Sequence, residues 1–130
     1  MGQYKAPSKQ IVLVVEDEPL LRMMAIDLVE NAGFEAVEAR NANEAVQILE
    51  TRTDIRIVFT DVDMPGGMDG LKLAASIRDR WPPIEIIITS GMRWVDENMI
   101  PAHTKFFAKP YDTVKVTNML HLMASHSYRP

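Results

Sequence analysis

Residues 11–33 read IVLVVEDEPLLRMMAIDLVENAG. The run Ile11 to Val15 is short, continuous, apolar and mostly β-branched, as in strands buried on both faces. Four polar or helix-opening residues come next, Glu16-Asp17-Glu18-Pro19. Then apolar residues recur at Leu21, Met24, Ala25, Leu28, Val29 and Ala32. That spacing is the stripe of an amphipathic helix. Pro19 suits its first position and Gly33 its stop. A buried strand turned at once into a helix is half of a βαβ unit.

Outward from this unit the alternation continues. Phe34 to Ala39 is a second strand, and Ala42, Ala45, Val46 and Leu49 form a helical stripe after the capping residue Asn41. Ile55 to Thr60 is a third strand. The spacing predicts a helix over Leu71 to Arg80, opened by Asp69-Gly70 and closed before Pro82-Pro83. Ile84 to Thr89 is a fourth strand ending in Ser90-Gly91, and Lys105 to Ala108 a fifth, ended by Lys109-Pro110. Between them, residues 92–103 predict a short, poorly amphipathic helix ended by Pro101. A last helix places Val116, Met119, Leu120 and Met123 on one face. Five strands alternating with five helices through short loops predict a parallel sheet covered on both faces, a doubly wound α/β sandwich. In such folds the functional crevice lies beyond the carboxyl ends of the strands.

The composition narrows the function. The 130 residues suit one domain, and 47% apolar with 25% charged residues is ordinary for a globular chain. A net charge of −4 argues against a phosphate-tracking basic surface, so direct nucleic-acid binding is not expected. The absence of cysteine removes disulfides, thiolate metal sites and Cys nucleophiles. The start MGQYKAPSKQ lacks the apolar segment of a signal peptide, and no apolar run approaches a membrane span. The expectation is one cytoplasmic domain with its core at about 10–124 and flexible ends at 1–9 and 125–130.

The chemistry sits at the strand ends. Glu16 and Asp17 come after the first strand, Asp61 and Asp63 after the third, Ser90 and Gly91 after the fourth, and Lys109 and Pro110 after the fifth. Taken singly, each is ordinary: acidic pairs decorate helix starts, and Ser-Gly or Lys-Pro make plain turns. Together, acid, acid, hydroxyl and lysine at four strand ends are improbable as independent turn chemistry. Clustered carboxylates require compensation, and oxygen-only ligands without His or Cys select a hard ion such as Mg²⁺. A carboxylate nucleophile, a divalent ion, a lysine and a hydroxyl suffice for phosphoryl transfer, which is mostly positioning and charge neutralisation. His103, His121 and His126 lack ligand spacing and read as solvated surface. No nucleotide or dinucleotide loop motif is present.

These residues resemble the receiver domain of two-component response regulators, as in single-domain chemotaxis regulators, over about residues 10–124. The family pattern is an acidic pair, a phosphoacceptor Asp, a Ser/Thr and a Lys-Pro after strands 1, 3, 4 and 5, and "DVDMPGGMDG" (61–70) is close to its loop after strand 3. The resemblance implies a flavodoxin-like (βα)5 sandwich of strand order 2-1-3-4-5. It implies Asp61 as phosphoacceptor from a sensor histidine kinase or histidine phosphotransfer protein. Mg²⁺ would be held by Asp17 and Asp61, by Glu16 directly or through water, and by the backbone carbonyl of Asp63. Ser90 would hydrogen-bond a phosphoryl oxygen, Gly91 would leave room beside it, and Lys109, before a cis Pro110, would pair with Asp61 or its phosphate. Phe106 would be the switching aromatic, and residues 91–101, Phe106 and the last helix would face a downstream partner, with Trp94 as a candidate anchor. Asp69 would cap the third helix. The chain departs from the commoner pattern at Glu16, Ser90, Phe106 and the doubled Gly66-Gly67. The implied protein is a signalling phosphoacceptor rather than an enzyme. The competing enzyme reading is a haloacid-dehalogenase-like phosphatase using the Asp-x-Asp of Asp61 and Asp63, and a flavodoxin-like cofactor binder is a third.

Overall fold

The computed structural model describes residues 9–64, 69–91 and 97–127. Strands β1 (Ile11–Val15), β2 (Glu35–Ala39), β3 (Ile55–Asp61), β4 (Glu85–Ser90) and β5 (Thr104–Ala108) form one sheet of order β2-β1-β3-β4-β5. Every pair is parallel. Helices α1 (Pro19–Asn31), α2 (Ala42–Thr51), α3 (Gly70–Arg80) and α4 (Thr113–Ser127) cover it. The fold is the flavodoxin-like sandwich expected.

Alternate strand residues feed two cores. On one face Leu13, Val15, Val58, Ile86 and Ile88 meet α2 and α3 through Ala45, Leu49, Leu73 and Ile77. On the other, Val12, Val14, Ile57, Phe59 and Ile87 meet α1 and α4 through Ala25, Val29, Val116 and Leu120. Strands buried on both faces read as continuous apolar runs, which is why β1 and β4 were legible.

Local chemistry explains the helix ends. Pro19 occupies the first turn of α1. Gly33, at φ 99°, ends the helix in a Schellman turn, with Gly33 N–H donating to Glu30 O and Phe34 N–H to Val29 O. Asn41 caps α2 by accepting from Glu44 N–H at 2.8 Å, and Asp69 caps α3 by accepting from Lys72 N–H at 2.9 Å.

The expected count of five helices needs correction. Among the described residues, the fourth helical position holds a single 3-10 turn, Glu97–Met99. Pro101, which has no N–H to continue a helix, follows that turn and bounds it on the C-terminal side. Residues 92–96, with the Trp94 anchor, lie outside the described residues, as do Pro65, Gly66 and Gly67 of the doubled-glycine loop and chain ends 1–8 and 128–130. The stripe of α1 is also only partly buried. Ala25 and Val29 are enclosed, but Leu21 is 41% and Met24 58% exposed. His121 is exposed, as expected, with its Nε2 2.8 Å from Ala32 O and its ring stacked on Phe34.

Candidate functional site

Parallel register assembles the site. Val15 pairs with Thr60, Asp61 with Thr89 and Ser90 with Ala108, so the residues ending or succeeding these strands share one edge. The site lies beside β1 and β3, where the strand order reverses.

Glu16 and Asp61 are each only 6% exposed, and Asp17 is half-buried. One carboxylate oxygen from each lies within 4.8 Å of the others. Lys109 Nζ stands 3.2 Å from Asp61 Oδ1 and 3.9 Å from Glu16 Oε1. The first contact is an ion pair that leaves buried Oδ1 without an aligned hydrogen bond. Glu16 Oε2 accepts from Glu18 N–H at 3.1 Å.

Burial dominates the electrostatics. It pushes the Glu16 carboxyl up to about 7, with Asp61 adding to the rise and the Glu18 N–H and Lys109 opposing it. Burial also raises Asp61, opposed by Lys109 and reinforced by Asp63. Like charges this close need compensation by protons or cations, and Lys109 supplies one positive charge. The three carboxylates supply oxygen donors alone, so the residues fit a hard divalent ion such as Mg²⁺.

Two glycines sit at close approaches, one to backbone and one to a side chain. A Cβ on Gly70 would stand 2.1 Å from Asp61 O, so α3 begins directly against the backbone of the β3 end. A Cβ on Gly91 would stand 3.2 Å from Lys109 Cβ. The room expected beside Ser90 is therefore used by the Lys109 stem. The Lys109–Pro110 bond is cis, as the resemblance implies. Phe106 is half-buried against the α2/α3 core.

The resemblance implies a role for Asp63 through its backbone carbonyl, and the structure adds a side-chain contact. Asp63 Oδ2 accepts from Ser90 Oγ at 2.9 Å. Sequence reasoning also passed over Arg22 and Tyr111. Arg22 donates to Glu16 O and to Glu38 Oε1, both at 3.0 Å, clamping the turn after β1. Tyr111 packs edge-on to Phe59 with its hydroxyl pKa pushed up by burial, then by Glu16 and Asp61. With Leu21, Met24, Leu28 and Phe59 it lines a cleft of about 500 Å³ that ends at Glu16, Asp61 and Lys109. In sequence Leu21 and Met24 read as part of the amphipathic α1 stripe, so nothing there separated cleft from core, and nothing marked Arg22.

Comparison with known proteins agrees with this geometry. The family model described as "Response regulator receiver domain" matches residues 12–121. The chain is 35% identical over 114 residues to chemotaxis protein CheY of Thermotoga maritima, covering 84% of this chain and 92% of that one. It is 33% identical over 119 residues to response regulator protein FleR of Pseudomonas aeruginosa, covering 89% of this chain. The chain spans 24% of the length of FleR. A response regulator receiver protein from Pseudomonas putida superposes with a TM-score of 0.78 at 28% identity, over 90% of this chain and 99% of that one.

The chain belongs to the response regulator receiver domain family. It is a receiver domain of two-component signalling. The phosphatase alternative is not favoured, because Asp61 ends, and Asp63 follows, the third strand of a receiver fold rather than the first. Among the described residues, no helix is long and apolar enough to cross a membrane.

Proposed function

We propose that Asp61 accepts a phosphoryl group from a phosphohistidine on a sensor histidine kinase or histidine phosphotransfer protein. One observation carries the reading. Asp61 is buried at the end of β3 with Lys109 Nζ at 3.2 Å and the Glu16 and Asp17 carboxylates within 4.8 Å. An Asp61 oxygen attacks phosphorus while the P–N bond breaks, its electron pair returning to the imidazole, which takes up a proton. Lys109 favours the ionised, nucleophilic form of Asp61 and neutralises charge on the transferring group. Ser90 donates its hydroxyl to a phosphoryl oxygen. Glu16, Asp17, Asp61 and the Asp63 carbonyl would hold Mg²⁺, which when bound supplies charge neutralisation for carboxylates and phosphate. Hydrolysis of the acyl phosphate restores the carboxylate, so the protein is a self-modifying switch rather than a turnover enzyme.

The phosphorylated state is read by a protein partner at the surface of Gly91, Pro101, Phe106 and α4. Half-buried Phe106 and edge strand β5 support a surface able to rearrange.

The test is incubation with acetyl phosphate and Mg²⁺. One acid-stable, alkali-labile acyl phosphate is expected, lost in Asp61→Asn and in chelator. Labelling of that variant at a single other residue would overturn the assignment.

A further inference from the structure

The hydrogen bond from Ser90 Oγ to Asp63 Oδ2 joins residues 27 apart in sequence across the β3–β4 boundary. Its setting is well built. Ser90 is 3% exposed, Val62 N–H donates to Thr89 O at 2.8 Å, and Asp61 pairs with Thr89. A serine hydroxyl carries one proton and so donates to one acceptor at a time. The same proton is wanted by a phosphoryl group on Asp61, two residues before Asp63.

We propose that the Asp63 carboxylate is a latch on the receiver switch: at rest it holds the Ser90 hydroxyl proton, and it must release that proton before Ser90 can engage a phosphoryl group on Asp61. The inference rests on the phosphoacceptor reading above. Asp63 is then a positioning residue that acts through Ser90. Its side chain sets how readily the modified state forms, while its backbone carbonyl remains available to a cation. Ser90 to carboxylate is a charge-assisted bond, stronger than a neutral one, so the latch is a meaningful share of the switching equilibrium.

Charge alone offers a rival account, because an anionic Asp63 also repels a phosphoryl group. The two are separated by a double-mutant cycle read as the dissociation constant of beryllofluoride, with Mg²⁺, followed by amide chemical shifts. Asp63→Ala removes both latch and charge, and is expected to tighten binding about tenfold. In a Ser90→Ala background the same substitution meets no latched hydroxyl, and is expected to tighten binding by less than about threefold. Asp63→Asn keeps an acceptor without the charge, so a latch predicts an effect well short of that of Asp63→Ala. Equal effects of Asp63→Ala in both backgrounds, or an Asn variant as tight as the Ala variant, would reduce Asp63 to a simple repulsive charge and overturn the latch. Weaker binding in a folded Asp63→Ala would overturn it too. Should Asp63→Ala fail to fold, Asp63→Asn with and without Ser90→Ala decides by the same comparison. The parent reading fails separately: beryllofluoride binding that survives Asp61→Asn removes phosphoacceptor and latch together, whereas binding lost there with no coupling between positions 63 and 90 removes the latch alone.

Discussion

The two sides of the carboxyl edge are built differently. β1 and β3 lie inside the sheet, and β1 is buried along its whole length. Glu16 and Asp61 extend from them and are themselves buried. β5 is an edge strand with no fully buried residue. It carries Phe106 and leads to Lys109. Asp61, the proposed nucleophile, and Glu16 thus stand at the buried centre of the sheet. The groups expected to report the reaction stand on the margin, where little packing opposes movement.

Core truncation should expose this contrast most strongly. Ile87→Ala in β4 opens a cavity in a fully buried site and is expected to cost about 2–5 kcal/mol. Phe106→Ala in half-buried β5 is expected to cost less, about 1–2 kcal/mol. Urea unfolding of both variants checks it; equal losses would break the distinction between centre and margin.

Gly70→Ala comes next. Its Cβ would collide with Asp61 O, forcing α3 away from Asp61, with an expected cost of about 2–3 kcal/mol and slower acyl phosphate formation. Normal stability with normal labelling would show that the close approach is dispensable.

The acid cluster should then appear in the pH dependence of the metal-free protein. The Glu16 carboxyl stands at about 7 against an ordinary 4.5, so the folded state binds this proton more tightly than the unfolded chain. Its contribution is therefore full below about 4.5 and lost as pH rises through about 7. Glu16→Gln should flatten that decline and stabilise the protein at pH above 7 by on the order of 1 kcal/mol. Thermal unfolding in chelator at several pH values measures it, and identical slopes in both proteins would rule it out. Saturating Mg²⁺ should narrow the difference, since the ion neutralises the same carboxylates.

The smallest effect expected is that of Gly91→Ala. The added methyl crowds the aliphatic stem of Lys109 at 3.2 Å, and a flexible side chain yields more easily than backbone. Stability should change by less than about 1 kcal/mol while acyl phosphate formation slows a few-fold. Single-turnover labelling against an unchanged urea midpoint would establish that Gly91 serves the lysine.

Much of this molecule was legible before folding because the signals are local. The β-branched runs of β1, β3 and β4 and the cap residues Asn41 and Asp69 depend on neighbours within a few positions. Strand ends bearing Glu16, Asp17, Asp61, Ser90 and Lys109 could be placed together because parallel α/β connectivity returns each strand to the same edge. The short helix expected at 92–103 rested on a pattern weak in both propensity and amphipathicity, and its described part holds the 3-10 turn Glu97–Met99.

The order of elements and the chemistry at each strand end were determined by the sequence alone, since both depend on residue type and period. Only the tertiary structure decided which neighbour each group meets. Asp63 turns its side chain to Ser90, Gly70 touches the Asp61 backbone, Gly91 makes way for Lys109, and Arg22 locks the turn at Glu16. Most of these contacts join different strands or a helix to a strand, so strand register and helix docking set them.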